Sequence, residues 1–188
     1  MNKLDRVEAA LRGEEIDRVP ISFWGHDYLR EWTADGLAEA MVANYRTYDW
    51  DVVKVNPRAS YHVEDWGATL SRPTDPNQSP RFLTWPVNEA ADWRRLRPLE
   101  PDKGVLGEQM QALRLIRDGL RGEAYFIQTI FSPLSVAKYL VGNRAEPVKA
   151  AIANDADALR AGLETITQTF STYAQACLEN GANGIFFA

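Results

Sequence analysis

Long apolar runs are missing from this sequence, and so is most of the chemistry that sulfur and imidazole supply. It holds one cysteine, Cys177, and two histidines, His26 and His62. A single cysteine excludes an internal disulfide. One cysteine and two histidines this far apart make no zinc ligand set, so no metal ligands are assigned. No stretch approaches the roughly 18 apolar residues of a membrane span. The opening Met1-Asn2-Lys3-Leu4-Asp5-Arg6 is charged with no apolar segment behind it, unlike a secretory signal. No basic run of five residues occurs, and the net charge of −5 disfavours binding to nucleic acid phosphates. Gly-x-Gly-x-x-Gly and phosphate-loop patterns are absent too, and no internal repeat is visible. The expectation is a cytoplasmic protein whose partner is a small molecule, with no nucleic acid and no membrane.

What is present is an ordinary globular composition, 45% hydrophobic and 25% charged over 188 residues, enough for one domain spanning 1–188. Leu4, Val7 and Leu11 repeat at helical spacing behind Asn2 as N-cap, and Gly13 ends that helix. Val19 to Phe23 reads as a short buried strand. From Thr33, Leu37, Met41, Tyr45 and Tyr48 share a helical face. Asp51 to Val55 is β-branched and predicts a second strand. The irregular stretch between Pro57 and Pro86 predicts an inserted hairpin, with Tyr61-His62-Val63 pairing Phe82-Leu83-Thr84-Trp85. A short helix follows over Asn88 to Arg95, then a longer one through Leu106, Met110, Leu113 and Leu120. Ala124 to Ile130 is a third strand. Ser132-Pro133 starts a helix to about Leu140, and Glu146 to about Ala153 forms another. Leu159, Leu163, Ile166, Phe170, Tyr173 and Cys177 step by three and four along the longest helix. Gly184 to Phe187 closes as a fourth strand.

Short apolar strands alternating with helices argue for a parallel sheet with helical crossovers. Two architectures fit: a doubly wound open sheet, or the first half of a (β/α)8 barrel with about four parallel strands.

Three segments and the closing strand entry together resemble the uroporphyrinogen decarboxylase superfamily, which also holds corrinoid-linked methyltransferases. Arg12-Gly13-Glu14 followed by Asp17-Arg18-Val19-Pro20 resembles its opening. Tyr28-Leu29-Arg30-Glu31-Trp32 is similar to its Tyr-Leu-Pro-Glu-Tyr. Ser132-Pro133-Leu134-Ser135-Val136 leading to Tyr139 is similar to its Ala-Pro-Trp-Thr-Leu segment. Glu179-Asn180-Gly181-Ala182-Asn183 resembles its Glu-Ala-Gly-Ala-Asp entry to a strand. The resemblance implies a (β/α)8 barrel of TIM type, of which this chain is the N-terminal half. It implies decarboxylation of a tetrapyrrole in porphyrin biosynthesis, or corrinoid-linked methyl transfer. A decarboxylase of this family needs no cofactor; a methyltransferase would use zinc and a corrinoid, with the zinc ligands outside this chain. The completing partner would be a C-terminal half or a second copy in a homodimer. The alternative is a non-catalytic truncated or split-gene product, serving as a binding or assembly module.

The family's two substrate-binding arginines, aligned on Tyr28, fall on Phe23 and Asp27. A guanidinium grips a carboxylate bidentately, and an aspartate repels it. The aspartate that follows the second strand in the decarboxylases is also absent from Lys54-Val55-Asn56-Pro57-Arg58. The sequence is thus closer to the methyltransferase-like or uncharacterised branch. Barrel chemistry sits at the C-terminal ends of strands. That selects His26 as general acid or base, with Asp27 beside it, Asn56 after the second strand, and Gln128 to Ser132 after the third. Tyr139, by resemblance, is a polar anchor and the second catalytic candidate. Arg30 is a candidate for an anionic group, and His62, next to Glu64 and Asp65, for substrate. For each the alternative is structural: a loop histidine, an exposed arginine, a hairpin residue, a packed helical tyrosine. Cys177 lies on an apolar seam and reads as a buried small hydrophobe.

Overall fold

The computed structural model describes residues 1–188. Its helices are α1 (Lys3–Arg12), α2 (Ala34–Tyr48), α3 (Tyr61–Glu64), α4 (Ala90–Arg95), α5 (Gly104–Leu120), α6 (Pro133–Leu140), α7 (Ala145–Asn154) and α8 (Ala156–Glu179). Its strands are β1 (Val52–Val55), β2 (Thr69–Ser71), β3 (Arg81–Thr84), β4 (Tyr125–Ile130) and β5 (Gly184–Phe187). The local signals act as their chemistry requires. Asn2 accepts from the Asp5 N–H, Thr33 from Gly36 and Asp155 from Ala158, each satisfying a donor that a helix start leaves free. Gly13, at φ 70, turns the chain out of α1 where a side chain would be strained.

The strands β1, β4 and β5 form one parallel sheet in the order β1-β4-β5. Val52 pairs with Tyr125 and Lys54 with Ile127, and Ile127 pairs in turn with Gly184. Side chains alternate across a strand, so this register sorts the two faces. Val53, Val55, Phe126, Gln128 and Ile130 are buried on the face that carries the helices. Lys54, Asn56, Ile127, Thr129 and Phe186 share the opposite, inner face. Phe186 and Phe187 on the edge strand are 42% and 65% exposed.

Two sequence expectations are corrected. Val19 to Phe23 is irregular, so the sheet has three strands rather than four. The segment does lie beside β1: the Asp51 N–H donates to the Ile21 carbonyl at 2.9 Å. Pairing goes no further because the Ile21 N–H, on the same side as its carbonyl, donates to the Asp51 carboxylate at 2.8 Å instead of to a backbone carbonyl. Second, Tyr61 to Val63 is not a strand. Tyr61, His62 and Val63 are all buried, which a single helical turn permits and an alternating edge strand does not. The hairpin instead pairs β2 with β3, Leu70 opposite Phe82.

Asp51, at the foot of β1, fastens the N-terminal segment to the sheet. Its carboxylate is fully buried and accepts from Arg6 Nη1 at 2.6 Å, Arg18 Nη1 at 2.5 Å and the Ile21 N–H. Arg6 also grips Asp17 through Nε and Nη2, at 2.7 and 2.8 Å. Burial pushes the Asp51 carboxyl upward in pKa, but the Ile21 N–H and the two arginines outweigh it and hold it below the usual range. That stabilisation is present above the unfolded-state pKa and is lost as pH falls through the lower folded value. Asp51→Asn is expected to cost about 3 kcal/mol in urea unfolding, because two guanidiniums lose a buried counter-charge. A cost under about 0.5 kcal/mol would show the network to be incidental.

His62 poses the opposite problem. It is fully buried, and neither ring nitrogen has a hydrogen-bond partner. Its neighbours are rings: Phe131 at 4.4 Å and Tyr139 at 4.7 Å between centroids. Burial drives its pKa down to about 3. The unfolded chain binds this proton near pH 6.5 and the folded protein does not. Stability is therefore expected to fall by about 1.4 kcal/mol per pH unit as the pH drops through the 5–6 window. His62→Leu removes both unpaired groups and should raise stability by roughly 1–2 kcal/mol at neutral pH. It should also flatten that acid slope, as urea melts of both proteins at several pH values would show.

Candidate active site

The site is built where β1 ends and the segment ahead of α2 folds back over it. A cavity of about 170 Å³ is lined there by His26, Tyr28, Ser60, Phe82, Tyr139 and Asn143, among others. The structure thus brings together His26 and Tyr139, which lie far apart in sequence. It does so because α6 delivers Tyr139 from after β4, while the hairpin lays Phe82 against that ring at 6.0 Å.

His26 is held from several sides. Its ring stacks on Tyr28 at 5.1 Å and 11°. Nδ1 lies 2.8 Å from Glu31 Oε2 and 3.2 Å from Asn56 Nδ2. With its proton on Nδ1, His26 donates to the Glu31 carboxylate and carries a lone pair on Nε2. The Asn56 Nδ2, itself a donor, then makes no bond to Nδ1 and donates to the Gly25 carbonyl at 3.5 Å. Glu31 is only 1% exposed, and its Oε1 has no partner. It offers a buried counter-charge to the imidazolium formed when Nε2 accepts a proton. This is the histidine–carboxylate arrangement that serves acid–base chemistry on unrelated folds.

Glu31 is itself positioned by a buried arginine. Arg58 Nη1 donates to the Glu31 carbonyl at 3.1 Å, while its other donors hold Glu64 at 2.7 and 3.0 Å and Glu108 at 2.7 Å. Arg58 therefore ties the turn before α2 to α3 and α5. Tyr139 is half-buried, and burial raises its phenol pKa, so it stays a protonated donor at neutral pH.

Asn56 lies on the inner face beside this pair. Its Oδ1 accepts from Lys54 Nζ at 3.3 Å. Lys54 is 8% exposed and sits over the rings of Trp24 at 4.4 Å and Phe186 at 4.3 Å. Burial lowers its pKa, with no acid to offset the effect.

The remaining candidates lie elsewhere. Asp27 accepts from Arg30 Nε at 2.7 Å, so the two satisfy each other at the surface. Arg30 belongs to a turn and not to a helix start. Gln128 points to the helical face and donates to the Tyr173 hydroxyl at 2.9 Å. Ser132 caps α6, with its Oγ 2.9 Å from that of Ser135. His62 is walled off behind Tyr139. Cys177 is fully buried, and burial pushes its thiol up to about 12, which suits packing and not ligation. No three His, Cys, Asp or Glu side chains converge as a metal-binding group.

Two residues of this site, Glu31 and Lys54, are absent from the sequence-based candidates. Lys54 carried a signal: a charge inside a β-branched strand, two residues from Asn56 and so on the same face. Glu31 carried none, because five residues along a turn imply no contact.

The fold has a counterpart among solved structures. A methyltransferase from Methanosarcina mazei superposes with a TM-score of 0.74 at 21% identity, over 98% of this chain and 58% of that one. Curated relatives are similar over a shorter stretch. The uroporphyrinogen decarboxylase of Salmonella typhimurium is 32% identical over 112 residues, which are 57% of this chain and 31% of that protein. That of Klebsiella pneumoniae is 31% identical over the same length. The chain thus aligns with about a third of the length of these relatives. No helix is long and apolar enough to cross a membrane. The family model for uroporphyrinogen decarboxylase (URO-D) matches residues 2–188, and the chain belongs to that family.

Proposed function

We propose that this chain contributes the acid–base residues of a URO-D-family enzyme acting on a small molecule, with methyl transfer favoured over porphyrinogen decarboxylation. The observation that carries the reading is the His26–Glu31 pair at a cavity shared with Tyr139. Both reactions need one proton moved. Decarboxylation puts a proton on the carbon that loses CO2, and methyl transfer takes one from the acceptor. His26 Nε2 is the group that moves it, Glu31 balances the charge, and Tyr139 donates to a substrate oxygen.

Two features support the methyl-transfer branch. Phe23 and Asp27 stand at the positions where the resemblance puts carboxylate-binding arginines. Phe23 is 64% exposed and Asp27 is already paired with Arg30. Zinc and a corrinoid would supply methyl activation in that branch. The residues present do not fit a zinc site: the lone thiol is buried and protonated, and no donor cluster forms. The zinc ligands of that branch would therefore lie outside this chain.

We also read the three-stranded sheet as part of a (β/α)8 barrel, in keeping with the methyltransferase superposition. Phe23, Trp24, Phe186 and Phe187 are exposed near the free edges of β1 and β5, which further strands would cover. In size-exclusion chromatography the 188-residue chain is expected to elute above its monomer mass of 21.2 kDa. A clean monomer at micromolar concentration would count against an uncovered edge.

The activity reading is tested with two substrates. Demethylation of methylcobalamin with a thiol acceptor, followed by its visible absorbance, is expected of this chain combined with the part of the barrel that supplies the zinc ligands. Uroporphyrinogen is expected to keep its carboxylates. His26→Gln should lower the demethylation rate about 100-fold or more, since a positioned general base is worth that much. Glu31→Gln and Tyr139→Phe should cost about tenfold each. Loss of carboxylates from uroporphyrinogen, with methylcobalamin untouched, would reverse the assignment.

A further inference from the structure

Lys54 is a buried cation without a counter-ion. It projects from β1 onto the inner face of the sheet and takes part in no ion pair, while nearly all the other buried charges here do. Arg6, Arg58 and Asp51 each have charged partners within 3 Å. Glu31 has His26. Removing an ammonium from water is costly unless opposite charge repays it. Two ring faces and one amide oxygen repay it in part. Within residues 1–188 no side chain supplies that opposite charge, and the inner face has a place for it beside Lys54.

The surroundings define what fills it. Asn56 lies between Lys54 and His26: its Oδ1 accepts from the amine at 3.3 Å, and its Nδ2 stands 3.2 Å from the imidazole Nδ1 without bonding to it. A group bound at Lys54 therefore lies next to the acid–base pair. One positive charge and one amide match a single negative charge. The site has neither the glycine-rich backbone nest nor the guanidinium fork that multiply charged phosphates call for. The flanking Trp24 and Phe186 rings, 61% and 42% exposed, offer apolar walls to a carbon skeleton.

We propose that Lys54 and Asn56 anchor the carboxylate of a small organic acid on the inner face of the sheet, beside His26. This rests on the reading of the His26 site as the place of reaction, and it narrows the substrate to a molecule bearing one acid group at that end.

The test is binding to the whole chain and needs no turnover. Sodium acetate is titrated into 15N-labelled protein at constant ionic strength, balanced with sodium chloride. The readouts are the Trp24 indole N–H, assigned with Trp24→Phe, and the Asn56 side-chain amide. Both should shift saturably with acetate and stay still with acetamide, its neutral counterpart. Lys54→Met should weaken acetate at least tenfold, and Lys54→Arg should restore most of the effect. Equal responses to acetate and acetamide, or no saturable response, would overturn the proposal. So would undiminished acetate binding by a folded Lys54→Met. The wild-type comparison decides the matter even where Lys54→Met fails to fold. Acetate binding with no demethylation would leave the anchor standing and reject the activity; demethylation without acetate binding would do the reverse.

Discussion

The fold around this site depends on one buried carboxylate. Asp51 opens β1 and holds two arginines and a backbone N–H from the segment ahead of α2. Without it, residues 17–27 would have one short backbone contact with the sheet and no ladder to secure them. With it, Trp24 and His26 are delivered to the inner face at the far end of β1. An ion-pair network does here what strand pairing does between β1, β4 and β5. It does so because the carboxylate captures the Ile21 N–H that would otherwise pair with a backbone carbonyl.

The sheet divides its chemistry by face. The helical face is apolar, apart from Gln128, which is tied to Tyr173. The inner face carries Lys54 and Asn56, and the His26–Glu31 pair adjoins it. Parallel strands buried on both sides are normally near-continuous apolar runs, so a lysine in the middle of β1 is costly. The structure places that cost next to the catalytic candidates, where unmatched charge is useful. His62 shows that not every unmatched polar group works this way. Its two free nitrogens are enclosed by aromatic rings, away from Lys54 and Glu31, and it acts as an aromatic-sized piece of core.

Membership of the URO-D family does not by itself assign the site residues. Where the resemblance puts two arginines stand an exposed phenylalanine and an aspartate paired with Arg30. What remains is the frame: strand ends, a tyrosine on α6, and a buried acid behind a histidine. Frames of this kind accept different substrates through changes in the residues lining the strand ends.

The sequence by itself determined the elements whose signals are local. Caps at Asn2, Thr33, Ser132 and Asp155, and the seam from Leu159 to Cys177, depend on neighbours within about one turn. So did the closing strand, Gly184 to Phe187. Asn56 was readable from the end of β1 and Tyr139 from the resemblance, while His26 was reached through an expected strand, Val19 to Phe23, that the structure leaves irregular. Only the tertiary structure decided which of these meet. Val19 to Phe23 has strand-like residues, but the Asp51 carboxylate takes the Ile21 N–H that would extend the pairing. Tyr61 to Val63 has strand-like residues as well, yet one helical turn buries all three. Gln128 and Lys54 sit one register step apart on adjacent strands and point to opposite faces, so one packs against Tyr173 and the other lies beside Asn56 on the inner face. Glu31 reaches His26 because Arg58, from beyond β1, holds its carbonyl. These outcomes rest on side chains competing for hydrogen bonds across the fold, and that competition has no period along the chain.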